Sequence, residues 1–142
     1  MSVIATEYSR SLPVRRPDWP ERLLAYLAER EAMPFAWWIN DCCTFARGAV
    51  LAMTGADLMA DVTPYRTPEE AGRILRAPLE EFLDQRLTRV PIGLAQRGDV
   101  ALVKSLDRDR PRMALTIVEG PTLVGPGAAR LPRTAARLAW AV

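Results

Sequence analysis

A change in the spacing of apolar residues near residue 90 constrains this chain more than any other feature. Before that point, apolar residues recur at helical intervals, as at Leu23, Leu24 and Leu27. After it, apolar and branched residues fall into short runs, GDVALVK, RMALTIVEG, PTLVG and RLAWAV, which have the character of β-strands. Helices followed by several short strands predict an α+β domain with an antiparallel sheet.

Two of the helical regions begin with capping signatures. Asp18 and Glu21 have the spacing of a capping box and predict the start of the first helix. Thr67 and Glu70 repeat that spacing before a later helical region. Pro78 interrupts this later region, so we expect two helical pieces there.

The length of the chain predicts one domain with a short arm in front of it. Its 142 residues, 49% of them apolar, are enough for a single core of ordinary size. Residues 1–17 are polar, contain two prolines and lack periodicity, which indicates an extended arm that frays or lies on a neighbouring chain. Residues 18–142 are expected to form the folded domain.

The charge of the chain identifies no partner. Its 19 basic and 17 acidic residues are scattered, without the blocks typical of nucleic-acid-binding tails or membrane anchors. No apolar run approaches the roughly 20 residues of a membrane-spanning helix, and the amino terminus lacks the pattern of a secretory signal. We therefore expect a protein made in the cytoplasm, with no membrane span and no nucleic-acid partner.

An adjacent cysteine pair follows an acidic residue in the segment NDCCTFARGAV. A helix is expected from about Cys42 to Met53, capped by Asn40 or Asp41 and ended by Gly55. A thiol at the start of a helix is stabilised as thiolate by unpaired N–H groups and the helix dipole. Cys42 is therefore a candidate nucleophile.

The second cysteine and the neighbouring aromatic residues leave a simpler interpretation open. Cys43 follows about 100° further round the helix, so we expect the two thiols not to act together. Residue chemistry alone favours the interpretation that both are small buried apolar residues next to Trp37 and Trp38. Two cysteines without histidine do not complete a four-ligand zinc site, and the GPG at residues 125–127 is expected to be a hairpin turn, so no metal or cofactor is predicted.

The order of NDCCTFARGAVLAMTG, RGDVALVK and MALTIVEG resembles the NlpC-type papain-like cell-wall peptidases. In that family an Asp-Cys pair begins a helix, a Gly-Asp pair begins the first strand, and a histidine begins a strand that ends in glycine. The resemblance covers about residues 37–142 and implies a papain-like fold. It places Asp41 and Cys42 at the acid and nucleophile positions, Gly98 and Asp99 at the strand start, and Ala114 at the histidine position.

The chain departs from that family in having no histidine at all. A papain-type mechanism needs a base that activates the thiol and then protonates the leaving amine, and imidazole does both near neutral pH. Asp41, Asp99 and Glu119 are the carboxylates that would have to replace it, with Thr122 as the orienting polar residue. The resemblance thus implies the fold together with an inactive or weakened Cys42.

The closing RLAWAV and the loop VGPGAARLP are similar to a branch of that family encoded among bacteriophage tail genes. This resemblance implies a structural or assembly component of the tail tip or baseplate, in the virion, with other tail proteins as partners. An active cysteine amidase or peptidase acting on peptidoglycan peptides through Cys42 is the first alternative. A cytoplasmic tail-assembly chaperone or binding module is the second.

Overall fold

The computed structural model describes residues 12–75, 78–104 and 113–142 and has an α+β architecture. The helical half precedes the strands, as the change in apolar spacing predicts. The α-helices in the described part of the chain are α1 (Trp19–Glu31), α2 (Cys42–Thr54), α3 (Pro68–Leu75) and α4 (Leu79–Asp84). None of them is long and apolar enough to span a membrane.

Six strands form a single antiparallel sheet in the order β1-β6-β2-β3-β4-β5. The strands are β1 (Thr88–Val90), β2 (Val100–Lys104), β3 (Met113–Val118), β4 (Thr122–Val124), β5 (Arg130–Pro132) and β6 (Leu138–Ala141). The four apolar runs of the sequence correspond to β2, β3, β4 and β6. The sequence did not reveal β1 (TRV) and β5 (RLP), because neither contains the kind of apolar run that marks the other four strands.

Side-chain alternation along the strands divides the core between the two faces of the sheet. On β2, Val100 and Leu102 belong to the main core, which also contains the buried faces of α1 and α2. Ala101 and Val103 point the other way, into a smaller cluster with Ala139. Both faces of the central strands are therefore buried, which explains their continuous apolar runs.

The first two helices pack closely because one of them carries a glycine at the contact. A Cβ at Gly48 of α2 would collide with the Tyr26 hydroxyl of α1. That hydroxyl donates a 2.8 Å hydrogen bond to the carbonyl of Phe45, and burial raises the pKa of Tyr26 to about 12. The apolar stripe of α1 is Leu23, Tyr26 and Leu27, whereas Leu24 is 62% exposed.

The helix boundaries confirm most of the predicted signals and correct one. Pro78 separates α3 from α4, and Thr67 accepts a hydrogen bond from the Glu70 N–H, as its spacing predicts. The prediction of a capping box at Asp18 and Glu21 is wrong. Asp18 is the residue before α1 but makes no side-chain cap, because its carboxylate accepts a hydrogen bond from Arg22.

Candidate functional site

The cysteine pair lies at the first two positions of α2, with Asp41 as the N-cap. Cys42 is half-buried and Cys43 is buried. Asp41 accepts a hydrogen bond from the Thr44 N–H, and the Thr44 hydroxyl accepts one from the Asp41 N–H, so the two residues form a capping box. Gly55 ends the helix in the left-handed conformation at φ 81°.

Asp41 stands at the acid position that the resemblance implies, but both of its carboxylate oxygens already accept hydrogen bonds. Oδ1 accepts hydrogen bonds from the Thr44 N–H at 2.9 Å and the Tyr65 hydroxyl at 3.2 Å. Oδ2 accepts one from the Trp38 N–H at 2.8 Å. The side chain is buried, and its three donors leave it a structural hydrogen-bond acceptor. Asp41 therefore holds the helix start in place.

The two thiols contact each other, contrary to the expectation from helix geometry. The Cys43 thiol donates toward the Cys42 sulfur, which is the main cause of a lowered pKa at Cys42, and the main-chain N–H of Leu115 contributes in the same direction. The same hydrogen bond and burial raise the pKa of Cys43 well above its usual range. Helix spacing separates the two Cβ directions but leaves the flexible Cα–Cβ rotation free to bring the sulfurs together.

Tyr65 is a member of the site that the sequence did not indicate. Its hydroxyl bonds Asp41 and lies near the Cys43 thiol, and burial raises its pKa far above the usual value. The phenol therefore remains protonated at neutral pH and acts as a donor. It lies 24 residues beyond Asp41 in a segment without a motif, so no sequence signal connects the two.

An aromatic turn forms one wall beside the cysteines. Trp38 has a left-handed backbone at φ 65°, which a bulky side chain rarely adopts. Its ring packs edge-on against Tyr65 at 5.1 Å between centroids and is covered by the Arg47 guanidinium at 5.3 Å. Arg47 is in turn held by a two-bond ion pair with Asp57. The turn is fixed through these contacts and through the Asp41 carboxylate.

Strand β3 reaches Cys42 with its backbone, whereas the side chain at the predicted histidine position packs elsewhere. The Leu115 N–H points to the Cys42 sulfur, and the Leu115 side chain is in the main core. Ala114 packs with the smaller cluster on the other face of the sheet. The structure brings this part of β3 to the nucleophile position, but the Ala114 methyl group does not share the face of Leu115.

The remaining polar residues singled out by the resemblance have other partners. Asp99 is buried and forms a 2.7 Å ion pair with Arg15. Glu119 accepts hydrogen bonds from Arg130 and from the Thr122 hydroxyl, and the Arg130 bond lowers the pKa of Glu119. Each of these two carboxylates is thus paired with an arginine side chain.

The described residues contain no group of three histidine, cysteine, aspartate or glutamate side chains arranged to hold a metal ion. The site therefore consists of a half-buried thiol, its neighbouring thiol donor, a phenol donor and a carboxylate that already accepts three hydrogen bonds. Such a set stabilises a thiolate and provides no free base among these groups.

Comparison with known proteins identifies one family. The family described as "Domain of unknown function (DUF6950)" matches residues 14–142, which includes every helix and strand described above. No curated protein and no solved structure matches the chain significantly. The match covers most of the sequence, and the chain therefore belongs to the DUF6950 family.

Proposed function

We propose that this chain is a structural or assembly component of a bacteriophage tail, at the tip or baseplate, built on a catalytically degenerate papain-like domain. The observation that carries the proposal is the thiol of Cys42 at a helix start, beside β3, without a free base. The tail location is supported by the resemblance of RLAWAV and VGPGAARLP to the phage branch of the NlpC-type family.

The chemistry of amide hydrolysis explains why the missing base matters. A thiolate attacks the carbonyl carbon, and the leaving amine then needs a proton from a group that titrates near neutral pH. Tyr65 holds its proton too tightly, and Glu119 is kept ionised by Arg130. Both carboxylate oxygens of Asp41 already accept hydrogen bonds, from three donors in all. Loss of the triad base typically removes most of the rate enhancement of such enzymes.

The second candidate is an active cysteine amidase or peptidase on cell-wall peptides, and one observation favours it. The pKa of Cys42 is lowered by the Cys43 thiol and the Leu115 N–H, which favours its thiolate relative to an ordinary cysteine without a histidine. A base supplied by another tail protein would complete the mechanism. The two candidate functions therefore place the site at the same residue, Cys42, and predict different rates of peptide hydrolysis there.

Hydrolysis of purified peptidoglycan fragments separates the two candidates. Wild-type chain, Cys42→Ala and the matched Cys43→Ala are each incubated with the fragments, and newly released amines are quantified. We expect the three proteins to give the same background. A Cys42-dependent turnover on the order of 1 per second or more would establish the enzyme and refute the degenerate site.

Detection of the chain in purified virions tests the tail assignment. We expect a defined copy number per particle by quantitative mass spectrometry. A chain that is abundant in infected-cell lysate and absent from intact particles would instead identify the assembly chaperone. This measurement is independent of hydrolysis, so location and activity are tested separately.

A further inference from the structure

The thiol of Cys42 receives hydrogen bonds from two separate parts of the fold. The Cys43 thiol donates toward the Cys42 sulfur from the next position of α2, and the Leu115 N–H donates to it from β3. These two donors lower the pKa of Cys42, although burial and the Asp41 carboxylate act in the opposite direction. Cys42 is only half-buried, so a small molecule in solution has access to a sulfur that is stabilised as thiolate.

The groups around this thiol limit the reactions that it is able to perform. Hydrolysis of an amide needs a base and then a proton for the leaving amine, and the site described above offers no free base. Oxidation of a thiolate by a hydroperoxide needs neither, because the oxidant brings its own proton. The chemical content of the site therefore suits oxidation better than hydrolysis.

The oxidation balances without any further reagent. The thiolate attacks one peroxide oxygen, so that an S–O bond forms while the O–O bond breaks, and the proton of the attacked oxygen passes to the leaving oxygen. The products are a cysteine sulfenate and water, or an alcohol when the oxidant is an organic hydroperoxide. Sulfur is oxidised and the peroxide is reduced.

Cys43 is the thiol placed to convert such a sulfenate into a disulfide, and the structure opposes that step. The Cα atoms of adjacent residues lie about 3.8 Å apart across a trans peptide, which is shorter than the roughly 4.4 Å minimum usual for a disulfide. The capping box of Asp41 and Thr44 holds both cysteines in the helix, so the backbone is not free to relax. The hydrogen bond to Cys42 and burial also raise the pKa of Cys43 well above its usual range. Cys43 therefore stays protonated, and a protonated thiol is a poor nucleophile.

We propose that Cys42 is a site of oxidation by hydroperoxides, with Cys43 as a hydrogen-bond donor to its sulfur and not as its partner in a disulfide. The sulfenate persists because the start of α2 prevents the neighbouring thiol from closing a ring. A low-molecular-weight thiol reverses the modification: it displaces water to form a mixed disulfide, and a second molecule of that thiol then releases Cys42.

This proposal goes beyond the tail assignment and does not depend on it. Oxidation uses only the thiolate and the donors beside it, whether the chain is a tail component, an enzyme or a chaperone. Its reagent also differs from that of peptide hydrolysis, so the failure of either activity leaves the other to be judged by its own experiment.

Treatment of the folded chain with hydrogen peroxide at pH 7 in the presence of dimedone tests the proposal. Dimedone attaches covalently to sulfenic acids, and fragment mass spectra locate the adduct. We expect an adduct at Cys42 and none at Cys43, formed several-fold faster in the folded chain than in the same chain unfolded in urea. Without dimedone, the intact chain should gain one oxygen atom and lose it again on treatment with dithiothreitol. Loss of two hydrogen atoms instead, labelling of Cys43, or equal rates in the folded and unfolded chains would each overturn the proposal.

Substitutions at the second cysteine separate a hydrogen-bond donor from a disulfide partner. Cys43→Ser keeps a hydroxyl donor and is unable to form a disulfide, so its product and rate should match those of wild type. Cys43→Ala loses the donor and should form the Cys42 adduct several-fold more slowly at pH 7, while Cys42→Ala is the blank. A sulfenate that accumulates only in Cys43→Ser, or equal rates for Cys43→Ala and wild type, would overturn the role assigned to Cys43. The wild-type measurement decides the proposal by itself if a variant fails to fold.

Discussion

Asp41 and Asp99 are two of the three carboxylates that the sequence singles out, and both are buried and hydrogen-bonded. They differ in the origin of their donors. Asp41 is bonded by neutral groups, two of which lie within three residues of it along the chain. Asp99 receives a charged guanidinium from 84 residues away. The first carboxylate organises a local turn, and the second joins distant parts of the fold.

This difference shows how one kind of side chain serves two structural purposes. A capping aspartate is satisfied by the helix that it starts, so its contribution is bounded by the value of a helix cap. A buried ion pair is costly to assemble but far more costly to break from one side, because the remaining charge is left without a partner. Loss of the distant pair should therefore destabilise the fold more than loss of the local cap.

The largest effect is expected at the ion pair. Arg15→Ala removes the guanidinium and leaves the buried Asp99 carboxylate without its cation, since the side chains of the pair are only 15% and 5% exposed. We expect the free energy of unfolding to fall by about 3 kcal/mol in urea titrations. Arg22→Ala is the matched control, because its pair with Asp18 is exposed. That variant should change stability by less than about 0.5 kcal/mol.

Equal stabilities for Arg15→Ala and Arg22→Ala would contradict the comparison. They would mean that water replaces the guanidinium at Asp99 without cost. The buried Arg15–Asp99 pair would then contribute no more to stability than the exposed Arg22–Asp18 pair.

An intermediate effect is expected at the helix cap. Asp41→Ala deletes the acceptor for three donors, and we expect a loss of about 2 kcal/mol in the same titrations. Asp41→Asn should lose less, because asparagine caps a helix as well as aspartate does. Thr67→Ala removes a cap from the exposed start of α3 and is expected to cost about 0.5–1 kcal/mol. A smaller loss in Asp41→Ala than in Thr67→Ala would refute the buried cap.

The smallest effect is expected at the thiols and is measured as a rate. The reactive form of Cys42 is the thiolate, so its alkylation by iodoacetamide rises as pH increases through its lowered pKa. Cys43→Ala removes the main donor and should shift that rise to higher pH, slowing alkylation several-fold at pH 7. Cys43→Ser retains a hydroxyl donor and should keep a profile close to wild type. Coincident profiles for Cys43→Ala and wild type would show that the thiol pair has no influence on Cys42.

The sequence by itself determined the features that depend on neighbours along the chain. The apolar spacing separates a helical half from a half made of strands, Asp41 and Gly55 mark the ends of α2, and Pro78 divides α3 from α4. These signals are short-range, since a cap or a helix stop is set by residues within one turn. The position of Cys42 at the helix start follows from the same local rules.

Only the tertiary structure decided which distant groups meet. Tyr65 completes the Asp41 site from a segment without a motif, and Arg15 binds Asp99 across most of the chain. The face on which Ala114 lies depends on the register of β3, and a shift of one residue exchanges the two faces of a strand. Capping obeys local geometry, whereas a hydrogen bond between remote side chains exists only after the sheet and helices have packed. The sequence therefore places the thiol at the start of a helix beside a capping carboxylate, and the packing adds the remote Tyr65 hydroxyl to that carboxylate.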